Sequence, residues 1–352
     1  MGILEEAVNA IPPLDEGALA AARERLRNQA RPAGSLGLLE DVSVRLAAIA
    51  GTIDVRLTEK VVVTCAGDHG VCAEGVSLFP SEVTAQMVYN FVGGGASINV
   101  LARHAGARVK AADLGVDHDF PADLPIFHKK VRRGTGNIAA EPAMTRDEAR
   151  RSVEAGIEIV DELLGDGPIH LLGTGDMGIG NTTPSAAIIA VYSGLPVDEL
   201  TGRGTGLDDE GIRRKSEAIR RALDRHQPDP DDPLGVLAAV GGLEIGGLAG
   251  LVIGAAARGI PVVCDGFIAT AGALLACEMA PAARDYLFAG HESAEVGHQF
   301  MLSHLRLLPL LDLEFRLGEG TGAALAMELM DAATRILAEI KTFEEVAIQD
   351  AQ

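Results

Sequence analysis

Tryptophan is absent from the 352 residues. Only 9 Phe and 3 Tyr occur, so aromatics make up 3% of the chain. A nucleic-acid groove built on stacked aromatic rings is therefore not expected. Positive charge is also scarce. Thirty Lys and Arg stand against 50 Asp and Glu, a formal charge of −20, which repels a polyanion or an acidic membrane surface on average. Neither nucleic acid nor membrane is an expected partner. The four cysteines, Cys65, Cys72, Cys264 and Cys277, form no Cys-x-x-Cys pair, and buried reduced thiols are expected. The longest apolar stretch, around Gly246 to Ala257, is glycine-rich and too short to span a bilayer. The start, MGILEEAVNAIPPLDE, has no basic segment followed by an apolar core, so no signal peptide is expected and the cytoplasm is the expected compartment. No Gly-Lys-Ser/Thr loop, Gly-x-Ser-x-Gly elbow or His-x-x-x-His pair occurs, which argues against a P-loop, a serine-hydrolase elbow and a metal site.

What remains is an aliphatic chain, 47% hydrophobic with 42 glycines, suited to close helix–sheet packing. Helical periodicity covers Glu16 to Asn28 and Leu36 to Ala50. Beyond residue 55, short apolar runs alternate with helical segments. Strands are expected at Lys60 to Cys65 and within ARVKAADLGVD, PIHLLGTGDMG, GIPVVCDGF and ARDYLFAGHES. Between them lie helices such as Ser81 to Phe91, Thr145 to Leu164, opened by the capping box Thr145/Glu148, and Gly246 to Arg258. QPDPDDPL, from Gln227 to Leu234, reads as a loop, and the last 45 residues read as helical around RLGEGTG. This alternation predicts an α/β fold with a mostly parallel, Rossmann-like doubly wound sheet. The expected division is a large α/β domain over 56–310 and a small discontinuous helical domain over 1–55 and 311–352.

Five strands end in polar or glycine-bearing loops: AGDHG, DLGVD, GTGDMGIG, CDGF and AGHES. Ligands of open α/β sheets bind at such carboxyl ends. The run Gly173 to Thr183, GTGDMGIGNTT, precedes a helix with Pro184 in its first turn. Its glycines let backbone N–H groups approach an anion at a helix N-terminus, so Gly175, Asp176, Met177, Gly178, Ile179, Gly180, Asn181 and Thr182 are candidate phosphate-binding positions. A second glycine loop, Thr201 to Lys215, contributes Gly204 and two cations, Arg203 and Lys215, either phosphate partners or surface charge. Asp68-His69-Gly70 ends the first core strand. His291, Glu292, Ser293, Glu295 and His298 cluster after another, where Ser293 or its neighbouring amides suit phosphate. Glu319 lies between Gly318 and Gly320, preceded by Leu317, before an apolar helix. It fits a helix-entry acid and a catalytic base equally well.

Ten strings, in order from residue 31 to 328, resemble the nicotinate-nucleotide–dimethylbenzimidazole phosphoribosyltransferase family. They are RPAGSLGLLE, AGDHGV, GVSLFPSEVTAQMVYNFVGGGASINVLAR, DLGVD, GTGDMGIGNTTPSAAI, GRGTGLDDEG, VGGLEIGGLAG, PVVCDGFIATAGALL, GHESAEVGH and RLGEGTGAALA. The resemblance implies transfer of 5-phosphoribose from nicotinate mononucleotide to 5,6-dimethylbenzimidazole or a related base, giving an α-riboside 5′-phosphate and nicotinate. It implies Glu319 as general base, Gly175 to Thr183 as phosphate loop with Ser293 and Lys215 as helpers, and a base pocket with Ser77 and Gln86. It further implies a homodimer, with no cofactor and no metal. Two departures stand out: Asp176 replaces the family's usual Glu, withdrawing a carboxylate by roughly 1.5 Å, and Val296 replaces a Pro. The first bears on the acceptor, since related members use phenolic, other azole or purine acceptors. A non-catalytic nucleotide-binding subunit and a nucleotide hydrolase are the competing expectations.

Overall fold

The structure is a computed structural model describing residues 2–347. Met1 and the last five residues of the expected helical tail, 348–352, lie outside the described residues. Seven strands, β1 Lys60–Gly67, β2 Ala107–Gly115, β3 Phe127–His128, β4 Leu171–Met177, β5 Val262–Cys264, β6 Leu287–Glu292 and β7 Pro309–Asp312, form one sheet in the order β3-β2-β1-β4-β5-β6-β7. Every neighbouring pair is parallel. The order reverses between β1 and β4, so the crevice of a doubly wound sheet opens there.

Side-chain alternation divides the buried strands between two cores. Val61, Val63 and Cys65 of β1 face one core with Leu172, Val262 and Cys264. Val62 and Ala66 face the other with Leu171, Val263 and Phe288. The first core is closed by the helices Arg146–Asp166, Leu243–Ala256 and Phe267–Met279. The second is closed by Glu16–Asn28, Leu38–Ala50 and Thr321–Glu339. The two ends of the chain meet there: Ala30 N–H donates to the Lys341 carbonyl at 2.9 Å, and the Gln29 amide donates to Ile336 O at 2.7 Å. Both faces being covered explains why the strands read as continuous apolar runs.

The expected α/β class and parallel sheet are thus observed, with local differences. Pro309–Asp312 is an edge strand, not helix, and Phe127–His128 forms a two-residue edge strand that had no sequence signal. The Pro/Asp loop closes early, because Asp232 caps a helix that begins at Pro233, its carboxylate accepting from Gly235 N–H at 3.1 Å. The glycine-rich helix begins at Leu243 rather than Gly246, and all 14 of its residues are buried. No helix among the described residues is long and apolar enough to cross a membrane.

The glycines of that helix are consumed by packing inside the chain. A Cβ on Gly250 would lie 1.9 Å from the Val153 carbonyl oxygen, and one on Gly156 would lie 2.1 Å from Gly247 O. The two helices touch backbone to backbone, which brings the sheet's covering layer close enough to exclude water. Gly250→Ala should therefore force the helices apart and cost about 1–3 kcal/mol. Urea unfolding of the variant beside the parent chain measures it, and an unchanged midpoint would show that the crossing has slack.

Candidate active site

A cavity of about 470 Å³ opens over the carboxyl ends of β4, β5 and β6. Its floor is the turn from β4 into the helix Thr182–Ser193. The expected phosphate loop is shorter than its glycines suggest, because Gly173 and Gly175 lie within β4. The turn itself is Gly178 to Asn181, buried but lining the cavity, with Gly180 at φ +90°. It is held from outside by Thr84 Oγ1, which accepts from Ile179 N–H at 3.2 Å, and by the Cys72 thiol, which donates to Ile179 O at 3.1 Å. Asp176 through Thr182 line the cavity and so open a helix N-terminus onto it.

Gly175 does not line the cavity. It gives room to the opposite wall: a Cβ there would lie 2.3 Å from the carbonyl oxygen of Glu319. That oxygen accepts from the Thr64 hydroxyl at 2.8 Å, and Glu319 N–H donates to the Asp176 carbonyl at 3.1 Å. Gly318, Glu319 and Gly320 have φ of +82°, +65° and +97°. Glu319 is the non-glycine member of this reversed turn, a conformation that costs about 1–2 kcal/mol for an L-residue. Its carboxyl lines the cavity yet is 5% exposed. One oxygen accepts from Ile98 N–H at 3.1 Å. Burial raises its pKa, that hydrogen bond opposes the rise, and the charge of Asp265 adds to it.

Asp176 faces Glu319 across the turn. The Asn181 amide donates to one of its oxygens at 2.9 Å, and the other oxygen is buried without a partner. Burial pushes this carboxyl well above the usual range, and Asp265 adds to the effect. A group so placed favours its neutral form, able to donate one hydrogen bond.

A second cluster gathers the other predicted residues. Lys215 is fully buried and lies behind the wall. Its Nζ donates to the Thr182 hydroxyl at 2.8 Å and to Gly202 O at 3.3 Å. Burial lowers its pKa to about 8, against the raising charge of Glu295. Gly204 lines the cavity, and its N–H donates to Glu295 at 2.9 Å. Ser293 also lines it. Its N–H donates to Nδ1 of His298, whose Nε2 meets the Thr270 hydroxyl at 2.9 Å. Thr270 in turn donates to Gly266 O at 2.7 Å. The chain of donors assigns His298 the neutral Nε2–H tautomer, in keeping with a pKa that burial and His291 depress to about 3.

Ser77 and Leu317 line the mouth, and Ser77 Oγ lies 3.4 Å from the Thr205 hydroxyl. Gln86 is exposed and outside the cavity. Its helical neighbours Val83 and Met87, one turn apart, face inward instead. Arg203 also points away, paired with Asp209 at 2.8 Å. His69 is buried off the cavity against Glu244, Nε2 to Oε1 2.6 Å. Arg316, which no sequence pattern singled out, lines the mouth and donates to Gly204 O at 3.3 Å. Phe267 and Ile268 supply apolar wall. Among the described residues, no group of three or more His, Cys, Asp and Glu is placed to hold a metal ion.

A phosphoribosyltransferase family model matches residues 11–348. Among curated relatives, the nicotinate-nucleotide–dimethylbenzimidazole phosphoribosyltransferase of Geobacter sulfurreducens is 57% identical over 350 residues, 99% of each chain. That of Chloroflexus aurantiacus is 53% identical over 350 residues, again 99% of each. The crystal structure of CobT from Thermus thermophilus superposes with a TM-score of 0.92 at 49% identity, covering 95% of this chain and 100% of that one.

The state of Asp176 sets a stability test. Its folded pKa lies above its ordinary value of 3.8, so its contribution is intact below about pH 3.8 and is lost as pH rises toward the folded value. Asp176→Asn removes that loss, and the variant should melt higher than the parent at pH 7, by on the order of 2 °C. Calorimetry across pH should show the gain vanish in acid; a variant that melts lower at pH 7 would show that the carboxyl is ionised and satisfied.

Proposed function

The chain belongs to the nicotinate-nucleotide–dimethylbenzimidazole phosphoribosyltransferase family, and we propose that its cavity moves 5-phosphoribose from nicotinate mononucleotide to 5,6-dimethylbenzimidazole or a closely related azole. The single observation behind the mechanism is the Glu319 carboxyl, held by a reversed turn and raised in pKa inside the cavity. The 5′-phosphate is assigned to the N-terminus of the helix Thr182–Ser193, with Thr182, Gly204 and Ser293 around it. Lys215 acts from behind by orienting the Thr182 hydroxyl. The acceptor ring is assigned to the apolar wall of Val76, Val83, Met87 and Ile179.

In the reaction, the azole nitrogen attacks C1′ of the ribose. The bond from C1′ to the pyridinium nitrogen breaks, and its electron pair returns to the ring, so nicotinate leaves without needing a proton. Attack on the opposite face inverts C1′ and gives the α-riboside. The azole loses its N–H proton to Glu319, whose raised pKa suits a base working near neutrality. A metal is not needed to balance any step.

We also propose that the protein is a cytoplasmic homodimer. The exposed Leu308 and Leu313 flank the open edge strand β7, a surface that a second copy would cover. Sedimentation velocity at micromolar concentration should give twice the chain mass of 36.6 kDa; a monomer there would discard the assignment.

Incubation with nicotinate mononucleotide, with and without 5,6-dimethylbenzimidazole, separates the competing chemistries. Riboside phosphate and nicotinate should appear together and only with acceptor. Nicotinate without acceptor would mark a hydrolase, and no turnover with any azole, purine or phenol would mark a binding subunit. Glu319→Gln should bind the nucleotide within about twofold of the parent and lose roughly 100-fold or more in turnover at pH 7. Near-parental turnover would remove Glu319 as the base.

A further inference from the structure

The helix Thr321–Glu339 begins without a cap of its own. Its N-cap is Gly320, and no side chain from its own segment bonds the first amides. The donors are satisfied by a residue from another strand. Asp265, one position beyond β5, is fully buried, and its carboxylate accepts from Gly320 N–H at 3.1 Å, Gly322 N–H at 2.7 Å and Ala323 N–H at 3.0 Å. This is N-capping supplied from outside the helix, and the positive end of the helix dipole favours the charge. The same carboxylate lies 3.6 Å from Nε2 of His291, which lines the cavity. Burial pulls the His291 pKa down, but the bond and charge of Asp265 outweigh it and the net shift is upward.

Asp265 does not line the cavity, so it touches no substrate. Its grip falls on the backbone directly after the base. Gly320 is the residue that follows Glu319, and the reversed φ of the turn is costly unless something holds it. We propose that Asp265 is the positioning residue of the transfer reaction: it fixes the Glu319 turn from β5 and places a carboxylate charge beside the base. The inference rests on Glu319 being the base.

The groups facing this centre are Asp176 from β4, His291 from β6, Ile98 N–H from the helix Ser97–His104, and Arg316 from the turn's own loop; Glu244, at the start of its helix, adds charge from behind Asp176. Within this set the charge of Asp265 raises the pKa of Glu319, and His291, paired with Asp265 at 3.6 Å, offsets that charge when protonated. An adjacent negative charge makes a carboxylate a stronger base, and an adjacent cation a weaker one.

The test is the pH profile of kcat/KM for the acceptor, taken for the parent, Asp265→Asn, His291→Gln and Glu319→Gln. In Asp265→Asn the acid limb should move to lower pH by roughly half a unit or more. Its kcat should fall about 10-fold or more, because the base is less well held, while KM for nicotinate mononucleotide stays within about twofold. His291→Gln should move the limb the other way, and it serves alone if Asp265→Asn does not fold. A fall in kcat with an unmoved limb in Asp265→Asn, or an unmoved limb in His291→Gln, would reduce Asp265 to a structural cap and overturn the proposal. Glu319→Gln keeps the two readings apart: if it retains the parental limb, the base assignment itself fails, whatever the other two variants do.

Discussion

The 318–320 turn is bound at backbone level to residues from the β1, β4 and β5 segments at once, and the site depends on that fit. Thr64 of β1 holds the Glu319 carbonyl, Asp176 of β4 receives its amide, and Asp265 beyond β5 receives the amide of Gly320. Gly175 leaves no room for a side chain beneath it. These contacts meet at the point where strand order reverses, where a doubly wound sheet separates its neighbouring loops. Glu319 is therefore mounted on the sheet rather than on a free loop.

The proposed site also suits an anionic nucleotide despite the net charge of −20. Three carboxyl groups, Asp176, Glu295 and Glu319, line it together with one arginine, Arg316. The negative charge is managed locally. Asp176 favours its neutral form, Glu295 is tied to Gly204 N–H, and Glu319 is pushed toward basicity. The helix N-terminus proposed for the phosphate offers N–H groups and the Thr182 hydroxyl, with the buried Lys215 behind it. Fixed dipoles on buried groups attract an anion more strongly than a screened surface charge does. The outer field and the inner site thus carry opposite preferences, one serving solubility and the other recognition.

Much of this was legible in the chain, for stated reasons. Apolar runs ending in glycine or polar loops marked the strand ends, and Glu319 between two glycines marked a candidate carboxylate before a helix. Other features were hidden by the reach of the signal. Gln86 and Met87 are adjacent in sequence but differ by about 100° around a helix, and only packing shows which one turns inward. Lys215 looked like a phosphate ligand because it is a rare cation. The fold buries it completely and leaves Thr182 to meet the cavity. The glycines of 243–256 are used inside the fold against Ser152, Leu114 and Val153, partners that the sequence does not name.

By itself the sequence determined the alternation of strand and helix, the polar loops at the strand ends and the glycine-flanked segment that carries Glu319. Each is written in local periodicity or in a run of residues short enough to read. Tertiary structure alone decided what crosses between elements: that Asp265 caps a helix at Gly322, 57 residues further along the chain, that Gly175 yields to Glu319, and that Asp176 is buried with one oxygen unpartnered. No local pattern encodes those pairings, because they arise from the registers of β1, β4 and β5 relative to one another. Those registers are set by the two hydrophobic cores on either face of the sheet.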